Sequence, residues 1–371
     1  GWTQGGEWKE RPTKYGPLPR EWAKYRGLYH HGQRIVLSYT VGTGEVLESP
    51  WAEKAAGSVV FSRSFEIRGL KNAESILLAQ SPQGGGVGQV REVKGVNMSI
   101  VPRSKKSGDA TVIAATVLGE DNSIGVDAHR TIAKVKAGNS KFTILIWEGP
   151  EKELESFALY AKKKFASPEL VKWMKGGPRK WTENLETQGE LGIAKKGEPY
   201  ALDTIQPPFD NPWGAILHFG GHDFFANGDL AVSTMEGDVW LVRGIDDKLD
   251  KLTWQRIATG LYHPLGLRIV DDKVYVLGRD QITRLHDLNE DSEIDFYENF
   301  NNDAEISLGS HEFSTCLETG PEGNFYYIRC ASGTRHGGSV LKVSKDGGRL
   351  ERFATGFRNP NGFFVGPGGV V

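Results

Sequence analysis

The feature that most constrains this chain is a repeat. His263-Pro-Leu-Gly-Leu opens one unit, His311-Glu-Phe-Ser-Thr-Cys-Leu the next and Asn359-Pro-Asn-Gly-Phe a third, each 48 residues after the last. The phrase Ile257-Ala-Thr-Gly-Leu returns two periods later as Phe353-Ala-Thr-Gly-Phe, and an earlier unit begins near Asn211-Pro-Trp-Gly. Inside each unit, short β-branched or aromatic runs alternate with tight turns, as in Lys273-Val-Tyr-Val-Leu followed by Gln281-Ile-Thr-Arg-Leu. A period of this length, made of four short strands, is that of a β-propeller blade. Residues 205–371 therefore read as three blades and part of a fourth. A closed ring needs at least about four blades and usually more, so the expectation is a partial propeller whose ring is completed by sequence beyond Val371.

The first half has a different texture. Residues 34–40 (RIVLSYT), 59–67, 75–79, 110–117 and 141–147 are β-branched or alternating, and Gly, Asn, Pro or Ser clusters separate them. This pattern predicts an antiparallel β-sandwich over residues 27–149. Residues 1–26, rich in Trp, Pro and Gly, read as an extended arm. The run Gly84-Gly85-Gly86-Val87-Gly88 reads as a hairpin loop, because no helical pattern follows it as a dinucleotide fingerprint requires. After Pro150, the residues Leu154, Phe157, Ala158, Ala161 and Phe165 recur at helical spacing, with Glu151 and Glu153 at the start and lysines at the end, as the helix dipole prefers. Residues 150–204 thus read as a short helical linker, and the whole as an all-β chain of two domains.

Composition excludes several functions. With 45 basic against 47 acidic residues among 371, the chain lacks the basic field of a nucleic-acid binder. No apolar run approaches the roughly 18 residues of a membrane span. No Cys-x-x-Cys-His is present, so no covalent haem is encoded in this stretch. Cys316 and Cys330 flank a turn on adjacent predicted strands, where either a cross-strand disulfide or two buried thiols would serve. The chain opens without Met and stops in a strand-like pattern, which reads as a mature or excised fragment.

Equivalent positions of successive blades lie at equivalent distances from a propeller's axis. His263, His311 and Asn359 share one repeat position and are expected to converge near one mouth of the channel, where ligand sites gather.

At this point residues 205–371 resemble the glucose/sorbosone dehydrogenase family, whose members use pyrroloquinoline quinone (PQQ) on a six-bladed propeller. Phe357-Arg358-Asn359-Pro360, ending in Gly366-Pro-Gly-Gly, looks like that family's Gly-x-Arg-Asn-Pro-x-Gly signature. The resemblance makes Arg358 and Asn359 cofactor contacts. The stretch from His311 to Phe325-Tyr-Tyr-Ile looks like the segment that carries the family's catalytic His, so His311 would be the general base. A third stretch, from Asp210-Asn-Pro-Trp-Gly to Gly237-Asp-Val-Trp-Leu-Val, looks like a narrower group of large planctomycete-type proteins. So do Tyr15-Gly-Pro-Leu-Pro and the stretch from Arg26-Gly-Leu-Tyr to Leu37-Ser-Tyr-Thr-Val. In that group such a propeller is often fused to a c-type cytochrome domain.

The resemblance implies a periplasmic or secreted protein that oxidises a sugar or small alcohol, with a carbohydrate-associated β-sandwich. PQQ carries several carboxylates, so cations must surround it. Arg358, Arg335 and Arg268 are available on the blade-start loops, and His263 lies at the same mouth. The chain departs from the family at Ile328-Arg-Cys-Ala-Ser, where an acidic partner for the catalytic His is expected and none stands.

The sharpest local motif is Asp287-Leu-Asn289-Glu-Asp291-Ser-Glu293-Ile-Asp295-Phe-Tyr-Glu298. It sets Asp287, Asn289, Asp291, Asp295 and Glu298 at positions 1, 3, 5, 9 and 12 of a calcium loop, with Glu293 at position 7, which ligates through its backbone. The motif thus makes calcium an expected cofactor, and the resemblance implies PQQ as a second. The rival expectation is a non-catalytic propeller that binds a glycan or a partner protein.

Overall fold

The computed structural model describes residues 1–10, 12, 16–80, 88–104, 110–119, 122–127, 130–163, 167–194, 196–307, 309, 312–330 and 333–370. The fold is all-β, built from antiparallel sheets with one short α-helix among the described residues. The chain forms two compact units. One takes Gly1–Pro12 and Leu18–Lys175, the other Thr13–Pro17 and Gly176–Val371. Most of the Gly84–Gly88 run lies outside the described residues.

The first unit is a sandwich. Its strands are β1 (Tyr25–His31), β2 (Arg34–Val41), β3 (Gly44–Ala55), β4 (Ser58–Leu70), β5 (Glu74–Gln80) and β6 (Gln89–Val93). They continue as β7 (Val96–Ser104), β8 (Thr111–Leu118), β9 (Ser123–Asp127), β10 (Arg130–Val135) and β11 (Gly138–Pro150). One layer runs β1-β2-β3-β4-β11-β8-β7-β6 and the other β5-β10-β9.

Strand β11 explains why its sequence FTILIW is apolar at almost every position: both of its faces are covered. Phe142 and Ile144 join Phe65, Ile67, Ile76 and Val135 in the core between the two layers, where Phe65 and Phe142 stack at 4.8 Å. Leu145 and Trp147 point the other way, onto helix α1 (Leu154–Lys163). Trp147 stacks on Phe157 at 5.6 Å, and Leu154, Ala158 and Ala161 are buried beside them.

The segment read as a linker is therefore divided. Helix α1 has an apolar stripe, and the outer face of the sandwich is where that stripe is buried. A 3-10 turn at Leu170–Met174 also belongs to the first unit, tied by the Leu170 N–H donating to the buried Glu66 carboxylate at 2.5 Å. Phe165 lies outside the described residues. The arm is pinned at its start. Trp2 bridges Ile76 and meets Phe65 edge-on at 6.1 Å, while Thr3 Oγ1 and the Gly5 N–H donate to Glu74 at 2.7 and 2.8 Å.

The second unit is a run of meanders. The first comprises β13 (Phe219–Phe224), β14 (Leu230–Thr234), β15 (Val239–Arg243) and β16 (Leu252–Ala258), with the short β12 (Leu185–Thr187) added outside β16. The second has β17 (Gly266–Val270), β18 (Lys273–Leu277), β19 (Ile282–His286) and β20 (Phe296–Asn301). The third has β21 (Ser314–Thr319), β22 (Phe325–Arg329), β23 (Ser339–Val343) and β24 (Leu350–Thr355). Each pairs strand to strand in chain order.

The first strands of consecutive meanders lie against one another. A Cβ at Gly220 would strike the Pro264 carbonyl, and one at Gly221 would strike the backbone of Gly266 and Leu267. A Cβ at Gly266 would fall 2.7 Å from the Leu317 nitrogen. Backbone meeting backbone at this distance leaves room only for glycine.

The turns repeat as well. Phe225 donates to the Asp229 carbonyl and Gly228 to that of Phe225; Gly320 and Gly323 do the same with Asn324 and Gly320. Gly366 and Gly369 reproduce the pair with Val370 and Gly366, after Val365 has been buried against Tyr326, Ile328 and Val340. A fourth repeat thus starts on the face of the third meander. Gly228, Gly323 and Gly369 have φ of +90°, +80° and +77°, the left-handed region a side chain disfavours.

Gly221→Ala should destabilise the second unit by about 2–3 kcal/mol, because the methyl has only backbone to displace. Gly362→Ala, where nothing lies within 4 Å, should change stability by less than about 0.5 kcal/mol. Chemical denaturation of the two variants checks the contrast.

Candidate functional site

The loops between meanders bring a group of aromatic and charged side chains together in the second unit. The Arg279 N–H donates to the Tyr262 carbonyl at 2.7 Å, and the Cys330 N–H to the Phe313 carbonyl at 2.9 Å. These two bonds place Tyr262 and Phe313 at the entry to neighbouring meanders. His263 follows Tyr262 with φ of +45°. Its ring lies 4.6 Å from Tyr262 and 5.8 Å from Phe313, and its buried Nδ1 has no partner among the described residues. The Arg279 guanidinium lies over the same two rings, at 5.5 and 5.8 Å.

Behind this group sits Arg329, at the end of β22, fully buried. Its guanidinium donates to the Arg279 carbonyl at 2.6 Å, to Ser314 Oγ at 2.8 Å and to the Glu305 carbonyl at 3.1 Å. It also pairs with the buried Glu312 at 3.5 Å, and Glu312 accepts from the Ser307 N–H at 2.7 Å. Burial lowers the Arg329 pKa from its ordinary value. Where the family resemblance places an acid on the strand, this chain places a base, and the acid stands at 312.

Two other groups here titrate abnormally. Burial raises Asp280 to about 6, against backbone hydrogen bonds from its own N–H and that of Gln281. Burial, then the Arg335 charge, lowers His336 to about 4. His336 is held neutral, with Nδ1 accepting the Glu305 N–H at 2.9 Å.

The sequence-predicted ligand residues fare differently. His311 lies outside the described residues, immediately before Glu312. Arg358 and Asn359 are exposed, on the segment that leaves β24, and the Pro360 carbonyl beside them accepts from Thr315 Oγ1 at 3.2 Å. Arg335 is paired with Glu305 at 3.2 Å, and its own N–H donates to the same carboxylate. Arg268 is paired with Glu318 and lies 3.6 Å from Asp223. Both cysteines are free thiols, with Cys316 in the bulge that interrupts the β21–β22 ladder at a φ of +58°.

The acidic loop folds on its own backbone. Asp287 accepts from the Asp291 and Ser292 N–H groups at 3.2 and 2.7 Å, and Asp291 from the Glu293 N–H at 2.9 Å. Asp295 accepts from Leu288 and Gly177 at 2.9 and 3.0 Å. Asn289 donates to Asp291 at 3.1 Å and to the Gly177 carbonyl at 2.9 Å. Burial raises the Asp295 pKa, and Asp291 and Asp287 add to it.

Glu298 turns elsewhere, and so does the side chain of Glu293, of which the motif asks only the backbone carbonyl. Glu293 accepts from the Lys180 and Trp181 N–H groups at 2.7 and 3.1 Å. Glu298, on β20, pairs across the ladder with Arg284 at 2.6 Å and His286 at 2.7 Å. Among the described residues no three His, Cys, Asp or Glu side chains are gathered as closely as a bound metal gathers its ligands.

The first unit offers a separate concavity of about 650 Å³. Its wall is mixed: Val96, Leu118 and Ile124 beside Asn97, Ser123 and Lys162.

Sequence reasoning missed Arg279, Arg329 and Glu312. The available signal was a lone charge ending the apolar run Phe325-Tyr-Tyr-Ile. Its partners, separated from it by up to 50 residues, were not readable.

The Asp280 shift makes a stability prediction. A carboxyl raised to about 6 in the folded chain, from 3.8 unfolded, adds no penalty below pH 3.8 and its full penalty above pH 6. Asp280→Asn should therefore raise stability by about 1–2 kcal/mol above pH 6 and lose that gain towards pH 4. Calorimetric melts across pH 4–8 measure it.

Residues 1–48 match a family described as a domain of unknown function (DUF6797). A search of the curated proteins finds no match.

Proposed function

We propose that the second unit is the propeller portion of a PQQ-type sugar or alcohol dehydrogenase. The observation that carries the reading is the cluster at the meander-start loops, where the buried His263 Nδ1 has no partner among the described residues and the Arg279 guanidinium lies nearby. Such a donor set suits a ligand rich in carboxylates. Arg358 and Asn359 would hold the cofactor, with His263 beside them. Arg335 would first have to give up Glu305.

When bound, PQQ supplies a hydride acceptor for alcohol oxidation. His311 takes the hydroxyl proton on a ring nitrogen, which a neutral imidazole does near pH 7. Electrons would leave through a partner such as a c-type cytochrome domain, in a periplasmic or secreted setting.

One observation favours a second reading, in which the propeller binds a glycan or partner protein without catalysis. The strand position expected to orient the catalytic His carries Arg329, and Arg329 holds Glu312. A base without a carboxylate partner is less well oriented.

Kinetics separates the two. In the whole protein, supplied with PQQ, calcium, a sugar panel and an artificial acceptor, His311→Ala should lower turnover by about 10²–10⁴-fold and leave quinone affinity nearly unchanged. Arg358→Ala should weaken quinone binding instead. Failure of any quinone to bind at micromolar concentration removes the dehydrogenase reading and leaves the binding propeller.

Calcium is the second proposed cofactor, held by Asp287, Asn289, Asp291 and Asp295. Their hard oxygens, set on one loop at calcium-loop spacing, support it. Calcium should raise the melting temperature, by mass action on the folded state. Asp291→Ala should abolish the gain, and Glu298→Gln, which only breaks the pair with Arg284 and His286, should keep it. Identical melts in calcium and chelator refute the assignment.

A further inference from the structure

We propose that Arg279 is the centre of an oxyanion site that takes the carboxylate of a small ligand. Arg279 is 6% exposed and makes no ion pair among the described residues. One terminal nitrogen donates to the Gly309 carbonyl, and the buried Nε has no partner there. Charged side chains are seldom buried without a matching charge. The nearby acids are engaged elsewhere. Asp280 folds back over Gly278 and accepts backbone N–H groups, and Glu312 belongs to Arg329 and Ser307.

The surroundings define the ligand's chemistry. The Tyr262 and Phe313 ring centroids lie 5.5 and 5.8 Å from the guanidinium, and Arg presents its remaining N–H donors as a planar fork. A planar, two-oxygen group matches that fork, as a carboxylate does. His263 packs on the same two rings and brings to the group a second nitrogen, Nδ1, without a partner among the described residues. Tyr262 is 45% exposed, so the group lies at the surface of the unit. None of this depends on the quinone reading: the site would take a carboxylate in a non-catalytic propeller equally well.

The probe is succinate, titrated into the whole chain while its melting temperature is followed. Inorganic phosphate and chloride at matched ionic strength are run in parallel. The parent should show a saturable rise with succinate and none with chloride. Arg279→Met should lose the response and melt no lower than the parent, because it removes an unmatched buried charge. Arg279→Lys, which keeps the charge but not the fork, should bind succinate about tenfold or more weakly. A parent that ignores succinate overturns the proposal, whether or not phosphate shifts it. So does an Arg279→Met variant that still responds. PQQ binding is measured separately, so loss of the dehydrogenase reading and loss of this site are told apart.

Discussion

The second unit depends on how closely the first strands of its meanders approach. At Gly220, Gly221 and Gly266 a neighbouring backbone occupies the space a side chain would need. That contact sets the spacing between meanders and fixes which ends of the strands converge. The loops at those ends then have no choice of company. Tyr262, His263, Arg279 and Phe313 meet because β13, β17 and β21 are held side by side, not because they attract one another strongly.

The group so assembled is tied by a buried guanidinium. Arg329 serves the Arg279 carbonyl, the Ser314 hydroxyl, the Glu305 carbonyl and the Glu312 carboxylate at once. Its donors sit in a rigid fork, so one side chain can satisfy acceptors on three segments. An apolar residue of the same size would leave those acceptors buried without donors, at about 1–3 kcal/mol each. Glu312 matches the charge of Arg329, which leaves Arg279 as the buried cation of these loops with no ion pair among the described residues.

How much of this could be read from residues alone varies with the range of the interaction. The 48-residue repeat announced the meanders, because hairpin turns and strand alternation are local. The run FTILIW announced a strand covered on both sides, and the stripe Leu154, Phe157, Ala158, Ala161 a helix. What the stripe could not announce was its destination on Trp147, inside the sandwich unit and not between domains. The acidic loop shows the same limit. Its spacing is local and legible, yet Glu298 is claimed by Arg284 and His286 of the adjacent strand, a choice made across a ladder. Arg329 and Glu312 were illegible for the same reason: a pair chosen in space leaves no periodic trace.

The repeated turn carries one more consequence. Phe225 to Asp229, Gly320 to Asn324 and Gly366 to Val370 close with the same two hydrogen bonds, and every meander pairs strands that are neighbours in the chain. Such pairing needs only short loops to close, so each meander can form as soon as its own four strands leave the ribosome. The nascent chain would then expose one unfinished meander at a time, and the glycines of β13 and β17 leave room for the first strand of the next to pack.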